Sequence, residues 1–520
     1  MAQATTPKAN KKSWIGLAVL VLPMLLIAID GMVLVFALPE ITQDLQPTGT
    51  QQLWILDIYS LMLAGLLITM ASLGDRFGRK RVLLIGAGLF SIASIIGGLS
   101  PNPETLIFAR ALLGVAGSMM MPGTLSLIRN MFLDRDQRRI AMAVWAAMGA
   151  LGAAAGPIVG GWIIEYFSWH AAFFMNLPVM ILLLILAPTL VPESKNPTPG
   201  RVDVLSIILS LGGMISLVYG VKTLANDEDT AVALLTVAAG ALLLGVFVAR
   251  QLRLAEPMIN VRLFKNKAFS GAVLTNLLSV FAMVGALFAL TQYLQLVAGL
   301  SIIKAALWLL PQAFVSAIAG FIASALVKKV PTAAIVASGM LITAGGFAML
   351  MALTPTTHPW FVSVALCLVG LGSGIGLTLT NDLIMSSVRP EESGQASAIS
   401  NSGYELGTSF GIAILGSLLL SFYRSGVEGA LPVGLPVQVV EGAEETLATA
   451  LVFAQELPGE LGAQLAAAAT DAFTHALAAT GGVAMGIMVG LAVFATVMLR
   501  GVSAQEDIAE DPQPALEPAS

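Results

Sequence analysis

Charged residues are scarce in this chain: Asp, Glu, Lys and Arg make up 11% of 520 residues, against about 25% in a soluble domain, whose surface must face water. That shortfall excludes a soluble enzyme. Cysteine is scarcer still, with Cys367 alone, and the three histidines (His170, His358, His475) are scattered. Neither a disulfide framework nor a Cys/His metal cluster can be built from them. A net charge of −5 argues against a nucleic-acid partner, which calls for a basic face. Walker A, nucleophile-elbow and His/Asp/Glu metal motifs are missing too, so nothing supports an ATP-driven pump or a membrane enzyme. No cleavable leader is expected, because the chain is polar up to Ser13 and the apolar run after it is too long for one.

Apolar surface is what the chain has in abundance. At 57%, about 296 residues are apolar, enough for roughly fourteen spans of about 20 residues each. Apolar runs between charged or Pro/Gly-rich breaks fall at 14–37, 52–73, 82–99, 104–128, 140–164, 171–191, 204–221 and 231–249, then at 268–291, 303–327, 332–353, 359–385, 396–422 and 474–499. These fourteen spans predict an all-α polytopic membrane protein with both termini on one side. Basic residues test the count, since a missed span would invert everything after it. With the N-terminus inside, 22 of the 26 Lys and Arg fall on the inner face; Lys222, Lys304 and Arg424 fall outside, and Arg110 falls within a span. Residues 423–473 form an outer loop rich in Ala, Glu and Gly, in which 438–456 and 460–472 fit short amphipathic helices or a hairpin. The loop is either a solvated acidic surface or a lid that collects cations. Residues 501–520 read as a disordered acidic tail.

A charge in a span costs at least about 2.5–3.5 kcal/mol at the bilayer centre, so each one there is a candidate for function. Asp30 lies in span 1, Asp57 in span 2, Arg110 in span 4, Asp382 near the inner end of span 12 and Glu405 in the middle of span 13. Glu165 and Asp203 sit at span edges, where water and snorkelling lower the cost. A carboxyl buried without a partner takes up a proton more readily, and a neighbouring cation reverses that. Asp30, Asp57 and Glu405 can therefore hold a proton or a cationic ligand, or each can make a structural hydrogen bond. Asp382 can play either part, and Arg110 either acts on a nearby acid or makes a helix-packing ion pair. Trp54, Tyr59, Trp145, Phe281, Phe288, Trp308, Phe314 and Tyr404 either offer cation–π faces or pack, and the 23 methionines are adaptable filling. Trp14, Trp169 and Trp360 are expected in the aromatic belt at the membrane surfaces.

Two loop and span motifs remain. The segment between spans 2 and 3 reads ASLGDRFGRKR (71–81). Asp75 can cap the helix that follows, Arg76, Arg79, Lys80 and Arg81 can pair with inner-face carboxylates, and Gly78 permits a tight turn. Span 5 contains GAAAGPIVGG, with Gly152, Gly156, Pro157, Gly160 and Gly161. Small residues at this spacing let helices approach closely, and the Gly-Pro pair loosens the helix.

Together these motifs resemble those of the major facilitator superfamily over nearly the whole chain. GDRFGRKR resembles its 2–3 loop motif, with Ala71 where a glycine is usual. FARALLGVAG resembles its span-4 arginine motif, and GAAAGPIVGG resembles the span-5 motif of drug:proton antiporters rather than uptake symporters. Fourteen spans are similar to the drug:H⁺ antiporter branch, and AIDGMVLVFALPEI, QLWILDIYSLMLAGLL and GYELGTSFGIAILG resemble its quaternary-ammonium multidrug exporters. The resemblance implies six-helix bundles at 14–191 and 268–500, joined by two additional central helices and linkers in 192–267. Residues 1–13 and 501–520 would be cytoplasmic, and loop 423–473 extracytoplasmic.

The implied activity is alternating-access export of lipophilic mono- and divalent cations (quaternary ammonium compounds, dyes, biguanides) across the cell membrane. A monomer would do this with no cofactor, driven by the proton gradient, and with no nucleic-acid partner. Asp30, Glu405 and Arg110 would handle the proton. Asp30, Asp57, Glu405, Trp54, Tyr59, Trp145, Phe288, Trp308 and Tyr404 would hold the cation. Asp75, Arg76, Gly78, Arg79 and the span-5 motif would gate. A degenerate echo of the loop motif, GFIASALVKKVPT, fits a repeated second half. Export of another solute (an antibiotic, siderophore or amino acid) and a membrane sensor without transport are the alternatives.

Overall fold

A bilayer core offers backbone groups no water, so a crossing segment must satisfy its own N–H and C=O groups, and an apolar run of this length does so as a helix. The computed structural model describes residues 9–195, 203–225, 230–255, 257–327, 329–389 and 392–500; the tail expected at 501–520 lies outside them. α1 (Lys11–Leu45), α2 (Gly49–Phe77), α3 (Arg79–Gly98) and α4 (Pro103–Met131) are followed by α5 (Arg135–Tyr166), the short α6 (Trp169–Phe174) and α7 (Asn176–Leu190). α8 (Val204–Ala225) and α9 (Thr230–Arg253) pair, and a 3₁₀ turn (Val261–Lys265) leads into α10 (Lys267–Gln292). Next come α11 (Ile302–Leu326), α12 (Thr332–Leu350), α13 (Pro359–Ser386), α14 (Ser393–Phe410) and α15 (Gly416–Glu428), the last two joined by a π-helical turn, Gly411–Leu415. α16 (Val437–Glu445), α17 (Leu447–Glu456) and α18 (Gly459–Met498) complete the chain.

Each of the fourteen expected spans falls on a helix. Among the described residues thirteen segments are long and apolar enough to cross a membrane, α6–α7 counting as one and α14–α15 as one. α5, with 32 residues, reaches about 48 Å at 1.5 Å per residue and is long enough as well. Within the first half α1 packs on α5 and α2 and α3 on α4; within the last, α11 and α12 pack on α13 and α12 on α18. The halves meet through α2 with α14 and α5 with α11, while the α8–α9 hairpin leans on α2 and α15. The described chain ends share one end of the bundle: Ala9 N–H donates to Gln137 at the start of α5, and Leu499 lies against Gly271 at the start of α10. That end carries Arg76, Arg79, Lys80, Arg81, Arg129, Arg250 and Lys265, and is called the basic end below.

Three expectations about the opposite end need correction. Residues 460–472 are not a separate helix. Leu465, Ala469, Ala472 and Phe473 are buried at helical spacing, so the stripe continues into α18 and the helix runs unbroken for 40 residues. Lys222 is not in a loop; it sits in α8 with no exposed side-chain surface. Trp169 is not a belt residue: it is 1% exposed, which it tolerates because its indole N–H donates to Asp44 at 3.0 Å. Trp360 is exposed, at 53%, and Trp14 is half-buried, edge-on to Phe132.

Candidate functional site

A cavity of about 1040 Å³ enters the bundle from the basic end, between α2, α4 and α5 on one side and α14 on the other. Its walls are soft. Met70, Met119, Met121, Met142 and Met258 line it, with Trp145 beside them, and the Trp145 N–H is satisfied by Thr124 at 3.1 Å. Asp75, Arg79, Arg129 and Asp203 stand at its mouth. On α14 the lining residues Gly394, Ala398 and Asn401 follow helical spacing, so the next residue on that face is Glu405, one turn deeper.

Glu405 is half-buried, and Ser60 of α2 lies beside its side chain. Among the described residues no ion pair includes Glu405. The other two interior carboxylates are already matched. Asp30 on α1 is 1% exposed and lies 2.7 Å from the Arg110 guanidinium, and its second oxygen accepts from Asn176 at 3.2 Å. Arg110 also donates to the Ile55 carbonyl at 3.1 Å and lies 4.5 Å from the centre of the Tyr59 ring. Asn176 is held in turn against Ser94 at 3.1 Å. Asp57, two turns into α2, pairs with Lys222 of α8 at 2.7 Å, both side chains at 0% exposure. The ammonium also lies 3.6 Å from the centre of the Trp54 ring.

The predicted aromatic residues do not form one cage. Trp145 lines the cavity, Tyr59 covers Arg110, and Trp54 covers Lys222. Tyr404 adjoins Glu405 in sequence and is half-buried. Phe281 and Phe288 are buried in the core at 4% and 2% exposure, and Phe314 faces outward at 66%. Trp308 is edge-on to His358, away from the cavity. Asp382 is exposed on α13 and joins no ion pair among the described residues.

In the 71–81 motif, Asp75 does not cap α3. It accepts from Arg79 within its own turn, at 2.7–2.8 Å, and the α3 N-terminus is served by Glu193, which accepts from Lys80 N–H at 3.0 Å. Arg79 also reaches Ser194 at 3.1 Å and Arg81 lies 4.0 Å from Glu193, while Arg76 lies over Phe77 rather than a carboxylate. Gly78 turns here at φ +116, a backbone conformation that glycine adopts without strain, and the Glu193 carboxylate packs 2.8 Å from where a Cβ would stand. In α5, Gly152, Gly156 and Gly160 press on Leu25, Met32 and Val33 of α1 around Asp30, Pro157 is buried among them, and Gly161 meets Ile302 and Ile303 of α11.

Comparison with known proteins settles which family this arrangement represents. A profile of the Major Facilitator Superfamily matches residues 20–412. The chain belongs to the Major Facilitator Superfamily. It is 44% identical over 454 residues to the multidrug efflux pump LfrA of Mycolicibacterium smegmatis, covering 87% of this chain and 90% of that one. Against the methyl viologen resistance protein SmvA of Salmonella typhimurium it is 34% identical over 448 residues, covering 86% and 90%. A solved bacterial homologue of the human lysosomal transporter Spinster, in an inward-facing and unoccupied conformation, shares the fold at a TM-score of 0.65 and 18% identity, over 95% of this chain and 98% of that one. Family membership makes the chain a multi-pass membrane transporter. Within this Major Facilitator chain, Asn176 and Lys222 are partners of the interior acids that the sequence reading did not place beside them. Asn176 is visible as a lone amide in FFMNLPVM, whereas Lys222 looks like a snorkelling residue at a span end.

Proposed function

We propose that the chain is a proton-coupled antiporter that exports lipophilic cations, quaternary ammonium compounds and dyes among them, by alternating access. The observation that carries this reading is Glu405: a carboxylate that has no cationic partner among the described residues, one turn beyond a methionine-lined cavity. Soft, polarizable walls accept many shapes, and a single acid supplies the charge they share. A proton and a cation compete for Glu405, so binding one releases the other. Asp30 has its charge met by Arg110 in this conformation and acts on the proton side of the cycle, where its protonation frees the guanidinium. The names of the relatives, a multidrug efflux pump and a methyl viologen resistance protein, point the same way. The basic end is read as cytoplasmic, in the cell membrane, which puts the open cavity on the loading side.

Energetics favours several acids over one. Exporting a dication for one proton moves net positive charge outward, at a cost of about 2.3 kcal/mol per 100 mV, while one unit of pH gradient returns about 1.36 kcal/mol per proton. Three interior carboxylates leave room for more than one proton per dication. The test is flux of ethidium-like and biguanide-like cations into proteoliposomes under an imposed pH gradient. Glu405→Gln and Asp30→Asn should each abolish gradient-driven flux; full flux in both variants would sink the reading.

A further inference from the structure

Resting on that reading, we propose that Asp57 and Trp54 form a second cation site, that Lys222 is its tethered occupant, and that an exported lipophilic cation displaces Lys222 from it. The ammonium touches the two groups that a lipophilic cation would use, a carboxylate at 2.7 Å and the face of an indole at 3.6 Å. Among the described residues neither Asp57 oxygen nor the Lys222 nitrogen has a hydrogen-bond partner beyond this pairing. A lysine ammonium carries three donors and is strongly hydrated in water, so this buried site matches its charge and leaves its hydrogen bonding largely unmet. A quaternary nitrogen carries no N–H donor, so a cation charged in that way loses nothing comparable at its charged centre on entering.

The location favours exchange. Trp54, Ile58 and Leu61 of α2, Met214 and Val218 of α8, and Leu406, Phe410 and Ala413 around the π-helical turn pack as one small cluster, apart from the main core. Both halves and the additional hairpin therefore meet at this pair. Glu405 immediately precedes Leu406 of this cluster on α14. Asp57 is two turns from the start of α2 and Lys222 one turn from the end of α8, both near the end of the bundle opposite the cavity mouth. From there a lysine stem can swing to the membrane surface. Exchange of one cation for another leaves Asp57 neutralised throughout, which a buried carboxylate needs.

Ethidium binding to the purified full chain tests this by fluorescence polarisation. Lys222→Gln and Lys222→Met should tighten binding about fivefold or more, and the gain should vanish when Asp57→Asn is added. Wild-type affinity or weaker binding in folded Lys222 variants would overturn the proposal. A second readout uses the wild type: acylation of Lys222 by a membrane-permeant amine reagent, followed by mass spectrometry, should rise at saturating ethidium, and no rise counts against displacement. If the wild type and the Lys222 variants all fail to bind ethidium, the cation-export reading falls with it. If the wild type binds and Lys222 changes nothing, only the tethered occupant falls.

Discussion

An arginine inside a membrane protein has to be matched, and Arg110 is matched by a carboxylate, a carbonyl and an aromatic face: Asp30, Ile55 and Tyr59. Removing the guanidinium strands Asp30 at 1% exposure with Asn176 as its remaining contact. Breaking a buried pair from one side costs about 3–5 kcal/mol, more than the pair contributes when both charges are removed together. Arg110→Gln should therefore lower the unfolding midpoint of the purified protein sharply, and adding Asp30→Asn should restore part of the loss. Equal loss in single and double variants would mean that the two side chains are not coupled. Asp30, Asp57, Arg110 and Glu405 were legible because charge inside an apolar run is costly wherever it occurs. Their partners were not. Which cation meets which acid depends on contacts 80 residues apart for Asp30 and across two helices for Asp57, and no local pattern records them.

At the scale of helices, spacing was informative where one face repeats. Gly152, Gly156 and Gly160 recur every four residues and form the α1–α5 seam, as ridge-and-groove packing of small residues leads one to expect. The α8–α9 hairpin gave less away, because its clamp joins two span edges that looked incidental. Arg250 donates through two nitrogens to both oxygens of Asp203, each at 3.0 Å, and Asp203 also accepts from Ser206 at the α8 N-terminus. Hydrogen bonding from Arg250 holds the Asp203 carboxyl below its usual range. A carboxyl depressed in the folded state stabilises it fully above its unfolded value, about 3.9, and that contribution is lost as pH falls through the lower folded value. The difference in unfolding midpoint between wild type and Asp203→Asn should thus be constant from about pH 8 to 5 and shrink below about pH 4. A difference that widens in acid would show that the clamp is not held by the ionised carboxylate.

For the whole molecule, composition and the lengths of the apolar runs were enough to read an all-helical polytopic membrane protein, because length and apolarity are properties of single segments. Which end is open could not be read, since closure depends on contacts between the two halves. Two of these are reciprocal. Glu165, at the end of α5, accepts from Ile303 N–H at the start of α11 at 3.0 Å. Glu445, at the end of α16, accepts from Gly49 N–H at the start of α2 at 3.0 Å. Each half thus places a carboxylate on a helix N-terminus of the other, where the helix dipole and free N–H groups favour an anion. Both contacts lie at the end opposite the cavity, and α2 with α14 and α5 with α11 make the most extensive packing between the halves. Opening that end must break both. Hydrogen bonds to a charged group contribute about 1.5–3 kcal/mol each when shielded and less where water reaches them, and both carboxylates are partly or fully exposed. Glu165→Gln with Glu445→Gln should still move the equilibrium towards opening at this end, by about tenfold for each 1.4 kcal/mol lost. Spin labels at Gln46 and Val437, with Cys367 replaced by serine, report on it: the distance distribution should gain a longer component in the double variant. An unchanged distribution would assign closure to apolar packing of α5 on α11 and α2 on α14, with the carboxylates as bystanders.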